Sequence, residues 1–160
     1  MPEPGSCTIR LAGPADAAAL AAVYAPYVRD TVISFEAEPP DAAEMARRLA
    51  AVAARLPWLV AEDGSGVLGY AYAGEHRNRA AYRWDVDAAV YLDSRAHRRG
   101  IGRALYRVLF ALLRAQGYVN AYAGITLPNA ASVGLHEALG FVPVGVYRAV
   151  GYKFGAWHDV

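Results

Sequence analysis

A short segment rich in glycine and arginine carries the residue types that point most directly to chemistry. It reads HRRGIGR over residues 97–103, after a strand-like stretch and before an amphipathic helical pattern. The first backbone N–H groups of a helix lack internal partners, and the helix dipole adds partial positive charge at that end. Glycines let a phosphate approach those amides, and arginines supply further bidentate donors. The segment therefore predicts a pyrophosphate site formed by Arg98, Arg99, Gly100, Ile101, Gly102 and Arg103.

Two other phosphate loops do not fit this segment. A Walker loop would place Gly-Lys before Ser or Thr, a combination that the sequence lacks here. A dinucleotide-binding fingerprint would place a third small residue where Leu105 stands, and it usually occupies the first turn between a strand and a helix.

A strand with two different faces precedes the phosphate segment. From Tyr82 to Leu92 the even positions are apolar, whereas positions 83, 85 and 87 hold Arg, Asp and Asp. An alternation with a period of two predicts a β-strand with one face in the core and one polar face. That polar face would carry Asp85 and Asp87, and the charged loop EHRNRAA at residues 75–81 leads into it.

The rest of the pattern predicts the elements that position these residues. One helix is expected to begin at Asp16 as its cap, and another at a capping box formed by Asp41 and Glu44. In all, helices are expected at 16–28, 41–56, 102–116 and 128–139. Strands are expected at 8–11, 58–62, 67–73, 82–92, 118–125 and 141–152, with a hairpin turn at 63–66. This order indicates an α/β fold with a mixed central β-sheet flanked by about four helices.

The composition excludes several functional classes. The chain has 160 residues, of which 56% are hydrophobic, and a formal net charge of +1, which argues against a nucleic-acid partner. Cys7 is the only cysteine, so an internal disulfide is impossible and a reducing cytoplasm is expected. No signal-peptide pattern and no membrane-length apolar run occurs in the sequence. We expect a cytoplasmic protein with no membrane partner.

Several motifs resemble one protein family. The block VYLDSRAHRRGIGRALYRVLFALL is similar to the pyrophosphate motif of the GNAT superfamily of N-acetyltransferases, although His97 stands where Gln or Arg is usual. NAASVGLHEALGF resembles the later helix motif of that superfamily. With TVISFEAEPP, AYRWDVDAAVYL and RAVGYKFGAWHDV, it resembles the phosphinothricin and methionine sulfoximine N-acetyltransferase group. The likeness covers nearly the whole chain.

The resemblance implies an activity and its partners. It implies one acetyltransferase domain over residues 1–160, with acetyl-CoA as co-substrate, no metal, and a homodimer as the assembly. The acceptor would be the α-amino group of a small amino acid such as phosphinothricin or methionine sulfoximine, with resistance to such compounds as a consequence. The group usually continues past Trp-His-Asp-Val with a final strand, which we expect this chain to lack after Val160.

Two residues are implied as catalytic. An α-amino group has a pKa of roughly 7.7–8.0, so most acceptor arrives protonated and a base is useful. Asp87 matches a Glu that acts as the base in this group, its shorter side chain favours a bridging water, and Asp85 is the alternative on the same face. His136 matches a catalytic His that would serve either as a second base or as the acid that protonates the departing thiolate. Tyr147 is a weaker candidate for the acid.

The resemblance also implies binding residues outside the phosphate segment. Asn129 is similar to an Asn that hydrogen-bonds the pantetheine arm, and its alternative role is a helix cap. The strand residues expected along pantetheine are Val90, Tyr91 and Leu92. The residues expected to contact the amino-acid substrate are Phe35, Arg77, Arg79 and Tyr82.

Other functions stay open at this stage. The rival enzymatic reading is acetylation of another small amine or of a protein N-terminus, but EHRNRAAYR is net basic and favours an anionic acceptor. A non-catalytic acyl-CoA-binding module is a rival of another class. Transfer is expected to be direct, because nothing around Cys7 suggests an activated thiol carrier.

Overall fold

The computed structural model describes residues 7–160. Within that range the strands are β1 (Thr8–Leu11), β2 (Trp58–Asp63), β3 (Gly66–Glu75), β4 (Asp85–Leu92), β5 (Asn120–Tyr122), β6 (Gly151–Lys153) and β7 (Ala156–His158). The α-helices are α1 (Ala17–Asp30), α2 (Ala42–Ala53), α3 (Ile101–Ala115) and α4 (Ala130–Glu137). The predicted order of elements is confirmed, with β7 as an additional strand.

The main sheet has the order β1-β2-β3-β4-β5. Neighbouring strands are antiparallel except β4 and β5, which are parallel and are joined through α3. The mixed central sheet flanked by helices is therefore confirmed. The predicted hairpin at residues 63–66 joins β2 to β3, and Gly66 takes a positive φ of 107° in its turn.

The chain divides into two compact units. The first unit is the chain up to Val23 together with Pro40–Ala123, and it contains the main sheet with α2 and α3. In it, α3 buries Leu105, Leu109 and Leu113, which recur every four residues, and packs on β2, β3 and β4. The second unit is Tyr24–Pro39 together with Gly124–Val160, and it contains α4 and the β6–β7 hairpin.

Several local predictions differ from the structure. The strand expected from Tyr82 begins at Asp85, because residues 80–82 form a 3-10 turn and residues 83–84 continue as a turn. The apolar side chains of Tyr82 and Trp84 remain partly exposed there. Asp16 was expected to cap α1, but its carboxylate instead accepts hydrogen bonds from Arg10 and from the backbone N–H of Gly13. The expected strand at 141–152 is extended chain that becomes regular only at β6.

The capping prediction for α2 is confirmed in its first half. The Asp41 carboxylate accepts a hydrogen bond of 2.7 Å from the backbone N–H of Glu44. The Glu44 side chain, however, pairs with Arg48 on the next turn of the helix. An N-cap of this kind stabilises a helix by about 1 kcal/mol.

Candidate active site

The predicted phosphate segment lies at the N-terminus of α3, as the sequence indicated. Gly100 is the N-cap, with φ of 77° and ψ of 0°, and α3 begins at Ile101. Only glycine adopts this left-handed conformation without a penalty of about 1–2 kcal/mol. Arg98 also has a positive φ, of 60°. Because Gly100 has no side chain, an anionic ligand can approach the first backbone N–H groups of α3.

The positive charge of the segment is largely exposed. Arg98, Arg99 and Arg103 are all exposed residues. Arg99 also lies 3.5 Å from the Asp63 carboxylate at the end of β2. Hydrogen bonds from Ser65, and then the Arg99 guanidinium, lower the pKa of Asp63 below its ordinary value. Asp63 therefore stays ionised and holds one of the three guanidinium groups beside the β2–β3 turn.

The β5 ladder covers only the first part of β4. The ladder between β4 and β5 pairs only Asp85–Asp87 with Asn120–Tyr122. β4 continues to Leu92 on the β3 side, so residues 88–92 of β4 extend beyond the β5 ladder. An extended ligand could add to such an edge by main-chain hydrogen bonds. Val90, Tyr91 and Leu92 all lie in this half-buried part of β4.

Asp87 has a hydrogen-bond partner that the sequence did not reveal. Its side chain is 53% exposed, and its Oδ1 lies 2.7 Å from Nδ1 of His76. The His76 ring stacks on Tyr122, with 4.4 Å between ring centroids, and meets the edge of Tyr82 at 6.0 Å. Asp87 thus belongs to a cluster of a carboxylate, an imidazole and two phenols, which we call the His76 cluster (His76, Tyr82, Asp87 and Tyr122).

The alternative carboxylate, Asp85, has a different environment. Its Oδ1 accepts a hydrogen bond of 2.8 Å from the side-chain amide of Asn120 on β5. Asp85 also lines a pocket of about 270 Å³ together with Arg79 and Arg83. The two carboxylates of the polar face therefore differ in their hydrogen-bond partners, which are an amide for Asp85 and an imidazole for Asp87.

The predicted substrate residues of the first unit fall in two places. Arg77 lies over the Tyr82 ring, with 5.6 Å from its guanidinium carbon to the ring centroid, and so adjoins the His76 cluster. Arg79 instead lines the pocket that contains Asp85. The structure brings Asp87, Tyr82 and Arg77 together, and the carbonyl oxygen of Arg79 accepts a hydrogen bond of 2.9 Å from the backbone N–H of Tyr82.

In the second unit, His136 is buried in α4. It is 5% exposed, and its Nδ1 lies 2.7 Å from the carbonyl oxygen of Ser132. A carbonyl only accepts hydrogen bonds, so Nδ1 carries the proton and Nε2 holds the lone pair of the neutral ring. The ring also meets Phe141 edge to face, with centroids 5.0 Å apart. These contacts fix the orientation of the ring.

Asn129 and Tyr147 also lie in the second unit. Asn129 is the N-cap of α4, and its side chain accepts a hydrogen bond of 3.1 Å from the backbone N–H of Ser132. The alternative role as a cap is thus present. The Tyr147 side chain is 64% exposed, and its backbone pairs with Val160 in both directions.

The Phe35 ring packs against the β6–β7 hairpin. A Cβ on Gly151 would collide with the Phe35 ring, so the first residue of β6 lies flat against it. His158 of β7 approaches the same ring, with centroids 6.2 Å apart. The Lys153 ammonium donates a hydrogen bond of 2.6 Å to the carbonyl oxygen of Ser34, and burial lowers the pKa of Lys153. The loop that carries Phe35 is therefore held in place by the hairpin.

Two kinds of feature are absent from residues 7–160. That range contains no group of three or more His, Cys, Asp or Glu side chains placed to hold a metal ion. None of its helices is long and apolar enough to cross a membrane.

Comparison with known proteins matches residues 9–160 to a family model described as an acetyltransferase (GNAT) domain. The chain is 43% identical to a phosphinothricin N-acetyltransferase of Streptomyces viridochromogenes, across 99% of this chain and 87% of that protein. It is 39% identical to an L-methionine sulfoximine/L-methionine sulfone acetyltransferase of Pseudomonas paraeruginosa, across 97% of this chain and 91% of that protein. The structure is similar to that of a phosphinothricin acetyltransferase from Sinorhizobium meliloti in complex with acetyl-CoA, with a TM-score of 0.91, 39% identity, and coverage of 96% of this chain and 84% of that one.

Proposed function

Because this chain belongs to the GNAT family of acetyltransferases, we propose that it transfers the acetyl group of acetyl-CoA to the α-amino group of a small amino acid such as phosphinothricin or methionine sulfoximine. The observation that carries the proposal is the arrangement along β4. The strand bears an exposed carboxylate at Asp87, then an edge beyond the β5 ladder, and then leads to the glycine-capped N-terminus of α3. Base, thioester and pyrophosphate are thereby assigned to successive positions along one stretch of chain.

The cofactor would be held mainly by backbone groups. The α3 amides from Gly100 to Gly102 would bind the pyrophosphate, and Arg98, Arg99 and Arg103 would add charge around it. The edge of β4 at Val90 to Leu92 would hydrogen-bond pantetheine as an added strand does. The Asn129 side-chain amide would bind the same arm. When bound, acetyl-CoA supplies an activated acyl group, so no metal is needed.

The proposed transfer is direct. The acceptor ammonium gives a proton to Asp87 through a bridging water, and the neutral nitrogen attacks the thioester carbonyl. A C–N bond forms, the C–S bond breaks, and the departing thiolate takes up one proton to balance the one that the attacking nitrogen loses as it becomes an amide. His136 would exchange a proton through Nε2, because its Nδ1–H is already committed to Ser132. An acyl-enzyme is disfavoured, since partial burial raises the pKa of the Cys7 thiol above its ordinary value.

The acceptor is proposed to be anionic. The loop between β3 and β4 contains Arg77 and Arg79, and Arg77 adjoins the cluster that contains Asp87. Guanidinium groups pair well with carboxylates and with phosphinate-like oxygens. Tyr82, which adjoins Arg77 and the His76 ring, would form an apolar wall for the rest of the amino acid. A cationic acceptor such as a polyamine would instead favour a net acidic loop, whereas EHRNRAAYR is net basic.

The oligomeric state of the protein and its cellular location are also proposals. We infer a single catalytic domain that works as a cytoplasmic homodimer. Support for the dimer comes from exposed apolar side chains in the second unit, which include Val142, Val144, Val146 and Trp157. Clusters of such side chains often mark protein interfaces. Light scattering during size-exclusion chromatography would measure the mass of the assembly.

The decisive experiment compares two carboxylate variants in a thiol-release assay. With acetyl-CoA and a panel of amino acids and amines, we expect release of coenzyme A with phosphinothricin or methionine sulfoximine. Asp87→Ala should lower kcat by about 100-fold or more, the range expected for loss of a general base, with the Kd for acetyl-CoA unchanged. Asp85→Ala on the same face is the matched control and should lose much less.

Each result has a clear meaning. Unchanged turnover in Asp87→Ala, or a larger loss in Asp85→Ala, would remove Asp87 from the role of base. Release with polyamines but with no acidic or sulfur-containing amino acid would overturn the proposed acceptor. Binding of acetyl-CoA without turnover on any amine would instead support an acyl-CoA-binding module.

A further inference from the structure

His76 contacts the proposed base and is not itself in the proposed machinery. It follows β3 directly, and the antiparallel register pairs Gly74 of that strand with Asp87 of β4. The ring therefore reaches diagonally across to the carboxylate, and its Nδ1 lies 2.7 Å from Oδ1. Within residues 7–160, His76 is the residue that hydrogen-bonds the Asp87 side chain, and the bond uses Oδ1 alone.

We propose that His76 is a positioning residue for the acetyl transfer, and that it holds the Asp87 carboxylate so that Oδ2 faces the acceptor amine. The proposal rests on the proposed role of Asp87 as the base. An ionised carboxylate only accepts hydrogen bonds, so Nδ1 of His76 must be the donor. The neutral ring then has its proton on Nδ1, and the hydrogen bond to Oδ1 fixes the tautomer.

The carboxylate needs such a partner for a geometric reason. The terminal torsion of an Asp side chain is broad, so an exposed carboxylate samples many orientations. Asp87 is 53% exposed on its strand and so lacks packing that would restrict it. A single donor of fixed position would restrict rotation and aim one oxygen at the amine or its bridging water. Displacements of about 1 Å at a reacting group can cost on the order of 100-fold in rate.

The His76 ring is itself fixed by aromatic neighbours. Its side chain is 19% exposed, it stacks on Tyr122 at an interplanar angle of 21°, and it meets Tyr82 at 71°. Tyr122 is the register partner of Asp87 on β5, so the stack brings β3, β4 and β5 to one point. The ring could therefore be present only to pack between strands. An experiment must separate the hydrogen bond from the stacking.

Two substitutions make that separation. His76→Phe keeps an aromatic ring for Tyr122 and removes the donor. His76→Asn gives up the ring but keeps an N–H group at about the position of Nδ1. We expect His76→Phe to lower kcat about tenfold, the value of one hydrogen bond to a charged group that is partly exposed, with little change in the KM for acetyl-CoA. His76→Asn should recover kcat to within about threefold of the parent.

A double-mutant cycle tests whether His76 acts through Asp87. In an Asp87→Asn background, His76→Phe should cause no further loss of kcat, because the carboxylate that it positions is gone. Losses that multiply in the double variant would overturn the proposal. So would full activity in His76→Phe together with a loss in His76→Asn, which would make the role one of packing.

The cycle also distinguishes the two proposals. If Asp87→Asn keeps full turnover, the proposed base is wrong and His76 has nothing to position. If Asp87→Asn loses turnover while His76→Phe keeps it, the base stands and only the positioning role fails. Unfolding temperature and the Kd for acetyl-CoA, measured on all four proteins, would show whether a variant has merely lost its fold.

Discussion

Gly100→Ala tests the pyrophosphate site at its most specific point. Gly100 has φ of 77°, and an added Cβ would have no atom within 4 Å, so the substitution introduces backbone strain and no collision. The strain of an L-residue in this conformation is about 1–2 kcal/mol. Because residues 97–100 are exposed, the free loop can relax at little cost, and the strain returns when the loop must present its amides to the ligand. We therefore expect the Kd for acetyl-CoA to rise about five- to thirtyfold.

The matched control is Gly140→Ala. Gly140 has a similar φ of 89°, and an added Cβ there also has no atom within 4 Å, but it follows α4 and not the phosphate segment. It should lose about 1–2 kcal/mol of stability without weakening acetyl-CoA binding. Gly100→Asn should recover part of the affinity, since Asn tolerates the left-handed region. Isothermal titration with acetyl-CoA and denaturant unfolding would measure both quantities. An unchanged Kd in Gly100→Ala, or an equal loss of affinity in Gly140→Ala, would refute the assignment of the site.

Two further predictions concern the first unit. Hydrogen bonds from Arg10 lower the pKa of Asp16 in the folded protein. This carboxylate therefore stabilises the fold at pH values above its unfolded-state pKa of about 3.9. The contribution is lost as the pH falls through the folded-state pKa. Asp16→Asn should thus cost about 1–2 kcal/mol at pH 7 by urea unfolding, and the cost should shrink as the pH falls through the lowered pKa; a difference that stays constant on acidification would contradict the assignment. Gly69→Ala would place a Cβ 2.6 Å from a backbone oxygen of β4 and should cost about 1–3 kcal/mol, whereas Gly74→Ala on the same strand has open space and should cost less in the same assay. Equal stability of these two glycine variants would rule out a tight approach of β3 to β4.

The fold was largely predictable because its signals are local. The hairpin follows from glycines at residues 63–66, and α3 from leucines that recur at helical spacing. The phosphate segment follows from a Gly-rich turn between a strand and a helix. The expected strand start at Tyr82 was wrong, because alternation of apolar residues cannot tell a strand from a 3-10 turn that leaves Tyr82 and Trp84 partly exposed.

The partner of Asp87 could not be predicted for a different reason. His76 lies eleven residues before Asp87, within a charged loop that shows no period. Its contact depends on the register between β3 and β4, which no single-sequence pattern fixes to within one residue. The same holds for Asp85, whose bond to Asn120 depends on the parallel pairing of β4 with β5. The sequence therefore identified the candidate carboxylates, while the different partners of Asp85 and Asp87 depend on long-range strand pairing.

That register is a functional constraint as well as a structural one. Asp87 lies opposite Gly74 on β3, and successive side chains of a strand point to opposite faces. A slip of one residue would turn Asp87 towards the core, bring the apolar Val86 or Ala88 to the polar face, and break the bond to His76. At the other end of the same ladder, Gly69 faces Leu92 so closely that any side chain would collide with β4. The close approach of Gly69 to β4 therefore fixes the position of the strand that carries the proposed base, at the end of the ladder opposite Asp87.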